Sequence, residues 1–261
     1  MDGAYSAGNS SYPAAQLLIG SGTTFTDQGA ADPNGFKVLG GGNATVVNSG
    51  TYVRGGLGTT EARGLSNAGL VDLAQGTLAV NETFTNTGTL NVRAGTVLQG
   101  LSGSLRNGGL LQGDGMVRNA LVNTGTVTPG GLGTAGHLQL DGDLTLLGAG
   151  ALRIDLAVAA HDLLSITSDV RLGGSLQIWA APTLQLHTGD SLVVATYGQR
   201  LDTSTFSEVQ WLGVGANPFS VEYGSNALTL RVTSAVPESS TTLMLLLGLG
   251  VALPVLRRRR G

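Results

Sequence analysis

Few side chains in this sequence have the type or spacing that chemistry requires. The three histidines, His137, His161 and His187, lie far apart, in separate strands or loops. His161-Asp162 is the most suggestive pair, an imidazole beside a carboxylate able to orient it as a general base. Adjacent residues on a strand point to opposite faces, however, so a solvated loop explains the pair better. Asp141-Gly142-Asp143 can place two carboxylates near a hard cation. The same tripeptide makes an ordinary turn ahead of Leu144-Thr145-Leu146, which is the simpler reading. Gly64-Leu65-Ser66-Asn67-Ala68 comes nearest to a nucleophile elbow, but its last position is not glycine and no helical pattern follows. With no cysteine in 261 residues there is neither a disulfide framework nor a thiolate metal site. No catalytic residue, metal ligand or cofactor is assigned from these groups.

The elements that would have to position a site are easier to read. Asn-x-Gly recurs at Asn48, Asn67, Asn86, Asn107 and Asn123, a near-regular series. The flanks repeat as well. Leu65-Ser66-Asn67-Ala68-Gly69-Leu70-Val71 aligns with Phe84-Thr85-Asn86-Thr87-Gly88-Thr89-Leu90, and Gly76-Thr77-Leu78 aligns with Gly95-Thr96-Val97. A period of about 19 residues marks a solenoid, in which each coil buries its apolar face against the next. Leu70-Val71-Asp72-Leu73 and Thr89-Leu90-Asn91-Val92 alternate as short strands do, and no stretch sustains the roughly 10 to 12 residues of helical periodicity that βαβ units need. Asn and Gly are expected at the corners, taking the positive φ angles of tight turns. The fold class is therefore all-β, a parallel β-solenoid. Its five asparagines are expected to form a structural ladder, each side-chain amide donating to the adjacent coil. Gly55-Gly56-Leu57-Gly58 and Gly130-Gly131-Leu132-Gly133 resemble the start of a calcium-binding nonapeptide. Thr60 and Ala135 stand where its aspartate belongs, and the two copies lie far apart instead of in tandem, so that reading is rejected.

From Leu138 to Val232 the strands lengthen and the strict period fades, as in Leu152-Arg153-Ile154-Asp155-Leu156 and Leu176-Gln177-Ile178. Leu163-Leu164-Ser165-Ile166 followed by Leu172-Gly173-Gly174-Ser175-Leu176, and later Gly189-Asp190-Ser191-Leu192-Val193-Val194, resembles the C-terminal solenoid segments of autotransporter-associated repeats. The likeness spans roughly residues 40–232 and implies a secreted, non-catalytic stalk or matrix element.

The last residues differ in kind. Val236-Pro237-Glu238 leads into an apolar stretch from Leu243 to Leu256, and then come Arg257, Arg258, Arg259 and Arg260. Ser239 to Leu256 carries no charge. As a helix that segment is roughly 27 Å long, against a hydrocarbon core of about 30 Å. The strictly apolar part, Leu243 to Leu256, is shorter still, which suits a transient membrane anchor better than a permanent one. The arginines should stay cytoplasmic by the positive-inside rule, leaving everything before Val236 outside the inner membrane. A short polar motif, an apolar span and a terminal arginine cluster together resemble the PEP-CTERM sorting signal, with Ser239 in place of its second proline. The resemblance implies processing by an exosortase at the inner membrane and delivery to the cell envelope or exopolysaccharide matrix of a Gram-negative bacterium.

Four units follow: an N-terminal segment, 1–35; a solenoid with the Asn-x-Gly repeats, 36–136; a C-terminal solenoid or β cap, 137–234; and the sorting segment with a short transmembrane helix, 235–261. Without the four terminal arginines, 10 basic residues face 17 acidic ones, a net of −7, which argues against nucleic acid as a partner. The expected partners are an exosortase-type membrane enzyme, transiently the inner membrane, and exopolysaccharide. The alternative from another class is a carbohydrate-active β-helix enzyme, lyase or hydrolase, with the same sorting segment. It would need carboxylates or basic groups clustered in a groove, and the 12% of charged residues are spread evenly. Met1-Asp2-Gly3 has no basic leader character and Leu17-Leu18-Ile19 is too short for an apolar leader core. A leader and further coils are therefore expected upstream of Met1.

Overall fold

The computed structural model describes residues 16–28, 36–37, 45–213 and 216–234. Among them the chain is strand and turn throughout, apart from a short 3-10 turn at Leu201–Thr203. Each coil has three strands. Thr45–Asn48, Thr51–Arg54 and Thr59–Ala62 make one, and Gly64–Asn67, Leu70–Leu73 and Thr77–Val80 the next. These strands pair in parallel, each with its counterpart one coil on, and three sheets run along the stack. The result is a three-sided parallel β-solenoid. The first sheet has eight described strands, from Gln16–Ile19 to Val170–Arg171, and the second nine, from Thr24–Asp27 to Glu208–Trp211. The third has ten and ends differently: Ala227–Val232 runs antiparallel to both Ser191–Thr196 and Phe219–Tyr223. This hairpin closes the parallel stack. The stacking is continuous from the repeat region into the later coils, where His137–Leu140 pairs with Met116–Arg118.

Alternation within each strand decides what the interior contains. Val46, Leu65, Phe84, Leu105 and Leu121 share one register position of the first sheet and point inward, while Val47, Ser66, Thr85, Arg106 and Val122 point out. Tyr52, Val71, Leu90, Leu111 and Val127 line the second sheet inside, and Leu78, Leu98, Val117 and Leu140 the third. Each fully buried side chain of this kind stabilises by roughly 1.5–3 kcal/mol. It does so only when a neighbouring coil covers it, so no coil is stable alone. At the C-terminal end aromatic rings fill the section instead. Phe206 lies 6.3 Å from Tyr223 and Trp211 5.7 Å from Phe219, and the Arg200 guanidinium sits 5.3 Å from the Tyr223 ring centre.

The glycines of Asn-x-Gly are needed for a reason other than the expected one. Neither they nor the motif asparagines have positive φ. A Cβ on Gly69, Gly88, Gly109 or Gly125 would instead lie 2.1 Å from the carbonyl oxygen of the motif glycine one coil before. Close backbone stacking at this corner excludes any side chain. Within the Asn-x-Gly coils the positive φ angles fall at the other corners, for example Gly76 at 68° and Gly95 at 76°.

Candidate functional site

The five motif asparagines occupy one register position: Asn48 pairs with Asn67, Asn67 with Asn86, Asn86 with Asn107, and Asn107 with Asn123. All five are buried, and along the series each Nδ2 donates to the Oδ1 of the next, at 2.7, 2.7, 2.7 and 2.6 Å. Each amide also reaches backbone carbonyls, as Asn67 does to Gly69 at 3.2 Å and Thr89 at 3.0 Å. On the acceptor side, the Oδ1 of Asn48 and of Asn67 takes the backbone N–H two residues on, at 3.2 Å. The side chain therefore both shapes its own corner and ties it to the next coil. Ile19 precedes Asn48 in the register and Leu146 follows Asn123, so apolar residues bound the described ladder. The strand-to-strand link at this corner is always two residues while asparagine is present. It lengthens to four, Leu147 to Gly150, once Leu146 replaces it.

The prism also holds a buried ionic cluster that sequence reading missed. Arg54, Asp27, Tyr52 and Thr60 all lie inside it near the N-terminal end and are 3% exposed or less. Arg54 Nε is 3.5 Å from Asp27 Oδ2, and the Tyr52 hydroxyl donates to that same oxygen at 3.0 Å. The Thr60 hydroxyl donates to it too. Arg54 Nε also donates to the Thr77 carbonyl at 3.4 Å, while Nη1 donates to the Asp27 carbonyl at 3.2 Å and Nη2 to the Gly58 carbonyl at 2.6 Å. Burial, and then the Asp27 carboxylate, raise the Tyr52 phenol well above its ordinary pKa. The sequence did carry a signal: in Thr51-Tyr52-Val53-Arg54 the period of two puts Tyr52 and Arg54 on one face.

The carboxylates singled out in the sequence are engaged between coils. Asp141 Oδ1 accepts the Thr167 hydroxyl at 3.0 Å, and Asp143 Oδ1 accepts the backbone N–H of Asp169 at 3.1 Å. Asp169 in turn accepts Gln199 Nε2 at 2.9 Å. Asp162 is fully buried and accepts the N–H of Gly136 and of Asp155, both at 2.8 Å. Burial pushes its carboxyl up to about 8, although those two N–H donors act in the opposite direction. Asp155 accepts the Gly133 N–H at 2.6 Å, and Asp114 accepts the His137 N–H at 2.9 Å. Three aspartates thus fasten the glycine-rich segment Gly130–Gly136 and the residue after it. Among the described residues no group of three or more His, Asp or Glu is placed to hold a metal ion.

The histidines stay as separate in space as they are in sequence. His161 Nε2 lies 3.0 Å from the Val193 carbonyl, while Asp162 points inward, so the two side chains do not cooperate. His187 is exposed at a turn, its backbone N–H donating to Asp190 at 2.8 Å. His137 Nε2 is 2.8 Å from Ser165 Oγ, which is nucleophile-to-base distance. Both residues stand on the outer face of a paired sheet, whose backbone donors are engaged along the stack. A groove of about 190 Å³ opens between the hairpin Leu156 to His161 and the stretch Leu184 to Leu186. Its lining is apolar except for His161 and Gln185, and no carboxylate faces it.

The chain matches no protein-family model and no curated protein. Val236, Pro237 and Glu238, the apolar span, and Arg257, Arg258, Arg259 and Arg260 lie outside the described residues. No helix among the described residues is long and apolar enough to cross a membrane.

Proposed function

We propose that this chain is an exported, non-enzymatic structural protein, sorted through its C-terminal segment by an exosortase-type membrane enzyme to the cell surface or extracellular matrix. The observation that carries the structural part is the use made of polar side chains. Asn48 to Asn123 and the aspartates at the other corners spend their hydrogen bonds between coils, as a stiff spacer requires. The sorting part rests on the sequence of the tail. Pro237 enforces an extended backbone just before the span, which keeps Val236-Pro237-Glu238 open to an enzyme at the membrane face. The short span makes anchorage marginal, and Arg257 to Arg260 fix its direction until processing. Exopolysaccharide is the candidate partner after release. The test is fractionation of an exosortase-positive host expressing the wild type or a chain with Arg257 to Arg260 made neutral. The wild type should collect outside the inner membrane and the variant should be missorted while keeping its β-sheet spectrum. Identical distribution of the two would overturn the sorting role.

A further inference from the structure

The ladder contains one chemically labile step. Asn107 is followed by Gly108, whereas Ser49, Ala68, Thr87 and Thr124 follow the other four ladder asparagines. In an unfolded chain the backbone nitrogen of an Asn-Gly pair can lose its proton and attack the side-chain carbonyl carbon. A bond forms from Gly108 N to Asn107 Cγ, the Cγ–Nδ2 bond breaks, and Nδ2 leaves as ammonia with a proton. Water then opens the cyclic imide at either carbonyl, leaving aspartate or isoaspartate. Glycine favours the attack because no Cβ obstructs it.

We propose that Asn107 is a modification site of the unfolded chain: deamidation there removes the competence to fold, and folding itself shuts the reaction off. In the folded protein the attacking nitrogen is occupied, since Gly108 N–H donates to the Asn86 carbonyl at 2.7 Å. The target carbon is fixed by the ladder, Asn107 being 1% exposed and held between Asn86 and Asn123. The product does not fit. Asn107 Nδ2 donates to Asn123 Oδ1 at 2.6 Å and to the carbonyls of Gly109 and Thr126, each at 3.1 Å. A carboxylate oxygen in its place confronts three acceptors in a buried site, with no donor to offer. Isoaspartate adds a backbone atom as well and shifts the register that stacks Asn86, Asn107 and Asn123.

The fold does not demand the residue that creates this lability. Gly108 has no positive φ, and a Cβ there would sit 3.5 Å from Thr124 Oγ1 and 3.6 Å from the Asn86 carbonyl, ordinary contact distances. Gly108→Ala should therefore fold like the wild type while lacking the fast reaction at Asn107; the other Asn-Gly pair, Asn34-Gly35, is common to both chains.

The full chain is incubated in concentrated urea or in native buffer at mildly alkaline pH. Conversion of Asn107 is then followed by mass spectrometry of the tryptic peptide Asn107–Arg118. Conversion should be slower in native buffer by at least about 100-fold, because attack must wait for local opening. After removal of urea, converted chains should collect in the protease-sensitive fraction and unconverted ones in the resistant fraction. Gly108→Ala should keep its refolding yield through the same incubation, and Asn107→Asp made directly should fail to reach native stability. Equal conversion rates in urea and buffer would overturn the proposal, as would recovery of converted chains in the native fraction. A native-like Asn107→Asp protein would do the same.

Discussion

Replacing Asn86 by alanine removes the middle residue of the ladder and with it two of the rungs. Its Nδ2 gives up Asn107 Oδ1 at 2.7 Å and the carbonyls of Gly88 and Leu110, both at 3.2 Å, while its Oδ1 gives up Asn67 Nδ2 at 2.7 Å. The Asn67 amide keeps two carbonyl partners, so the larger loss falls on Asn107 Oδ1. Two rungs at about 1 kcal/mol each, plus a desolvated acceptor at about 1–3 kcal/mol, put the cost of Asn86→Ala at about 3–5 kcal/mol. Asn48→Ala is the comparison. It breaks only one described rung, and Asn67 Oδ1 keeps the Gly69 N–H at 3.2 Å, so about 1–2 kcal/mol is expected. Urea unfolding followed by far-ultraviolet circular dichroism measures both. Amide hydrogen exchange at Asn67 and Asn107 checks that the loss is local, because a solenoid need not unfold in one step. Equal costs at Asn48 and Asn86, or a cost below about 1 kcal/mol at Asn86, would refute the ladder as a cooperative element.

Gly88→Ala sets a Cβ 2.1 Å from the Gly69 carbonyl oxygen, and because the clash is with backbone it should cost about 3 kcal/mol or more. Gly95→Ala meets open space and bears only its φ of 76°, so roughly 1–2 kcal/mol is expected; the reverse order in thermal unfolding would contradict the stacking explanation. Folded Asp162 holds its proton up to about pH 8, whereas the unfolded chain releases it near 3.8. The folded state therefore binds more protons between those values, and stability should fall as pH rises through them. Asp162→Asn should remove this slope, and a wild type that gains stability relative to the variant over that range would show Asp162 to be ionised when folded. Arg54→Met leaves the Asp27 carboxylate buried beside Tyr52 and should cost about 3–5 kcal/mol. Adding Asp27→Asn keeps an acceptor for Tyr52 and Thr60 and should recover part of that loss in urea titration; no recovery would mean the charge is not the cause.

The stacking of the asparagines follows from something visible in the sequence, a two-residue corner repeated with the coil. Register in a parallel sheet is set where backbone spacing is invariant, and Asn48-Ser49-Gly50 through Asn123-Thr124-Gly125 provide that. The reason for the glycine was not legible. A requirement for close approach and one for positive φ look the same in a sequence, and only the 2.1 Å separation distinguishes them. Arg54 and Asp27 escaped notice because charge is ordinarily assigned to the outer face, although Tyr52 beside Arg54 in the alternation pointed inward. The antiparallel hairpin at the end could not be read from alternation, which is the same for parallel and antiparallel strands. Asp155 and Asp162 hold the segment Gly130–Gly136 of the preceding coil, a contact fixed by stacking rather than by local sequence.

Sorting of a structural solenoid through its C-terminal segment stands or falls on the mass of the mature protein. The protein is purified from the surface or matrix of an exosortase-positive host, and its C-terminal peptide is identified by mass spectrometry. A terminus near Val236-Pro237-Glu238, with Arg257 to Arg260 absent, is the expected finding. An intact terminus ending in the arginines and Gly261, in protein recovered from the surface, would contradict the proposed sorting.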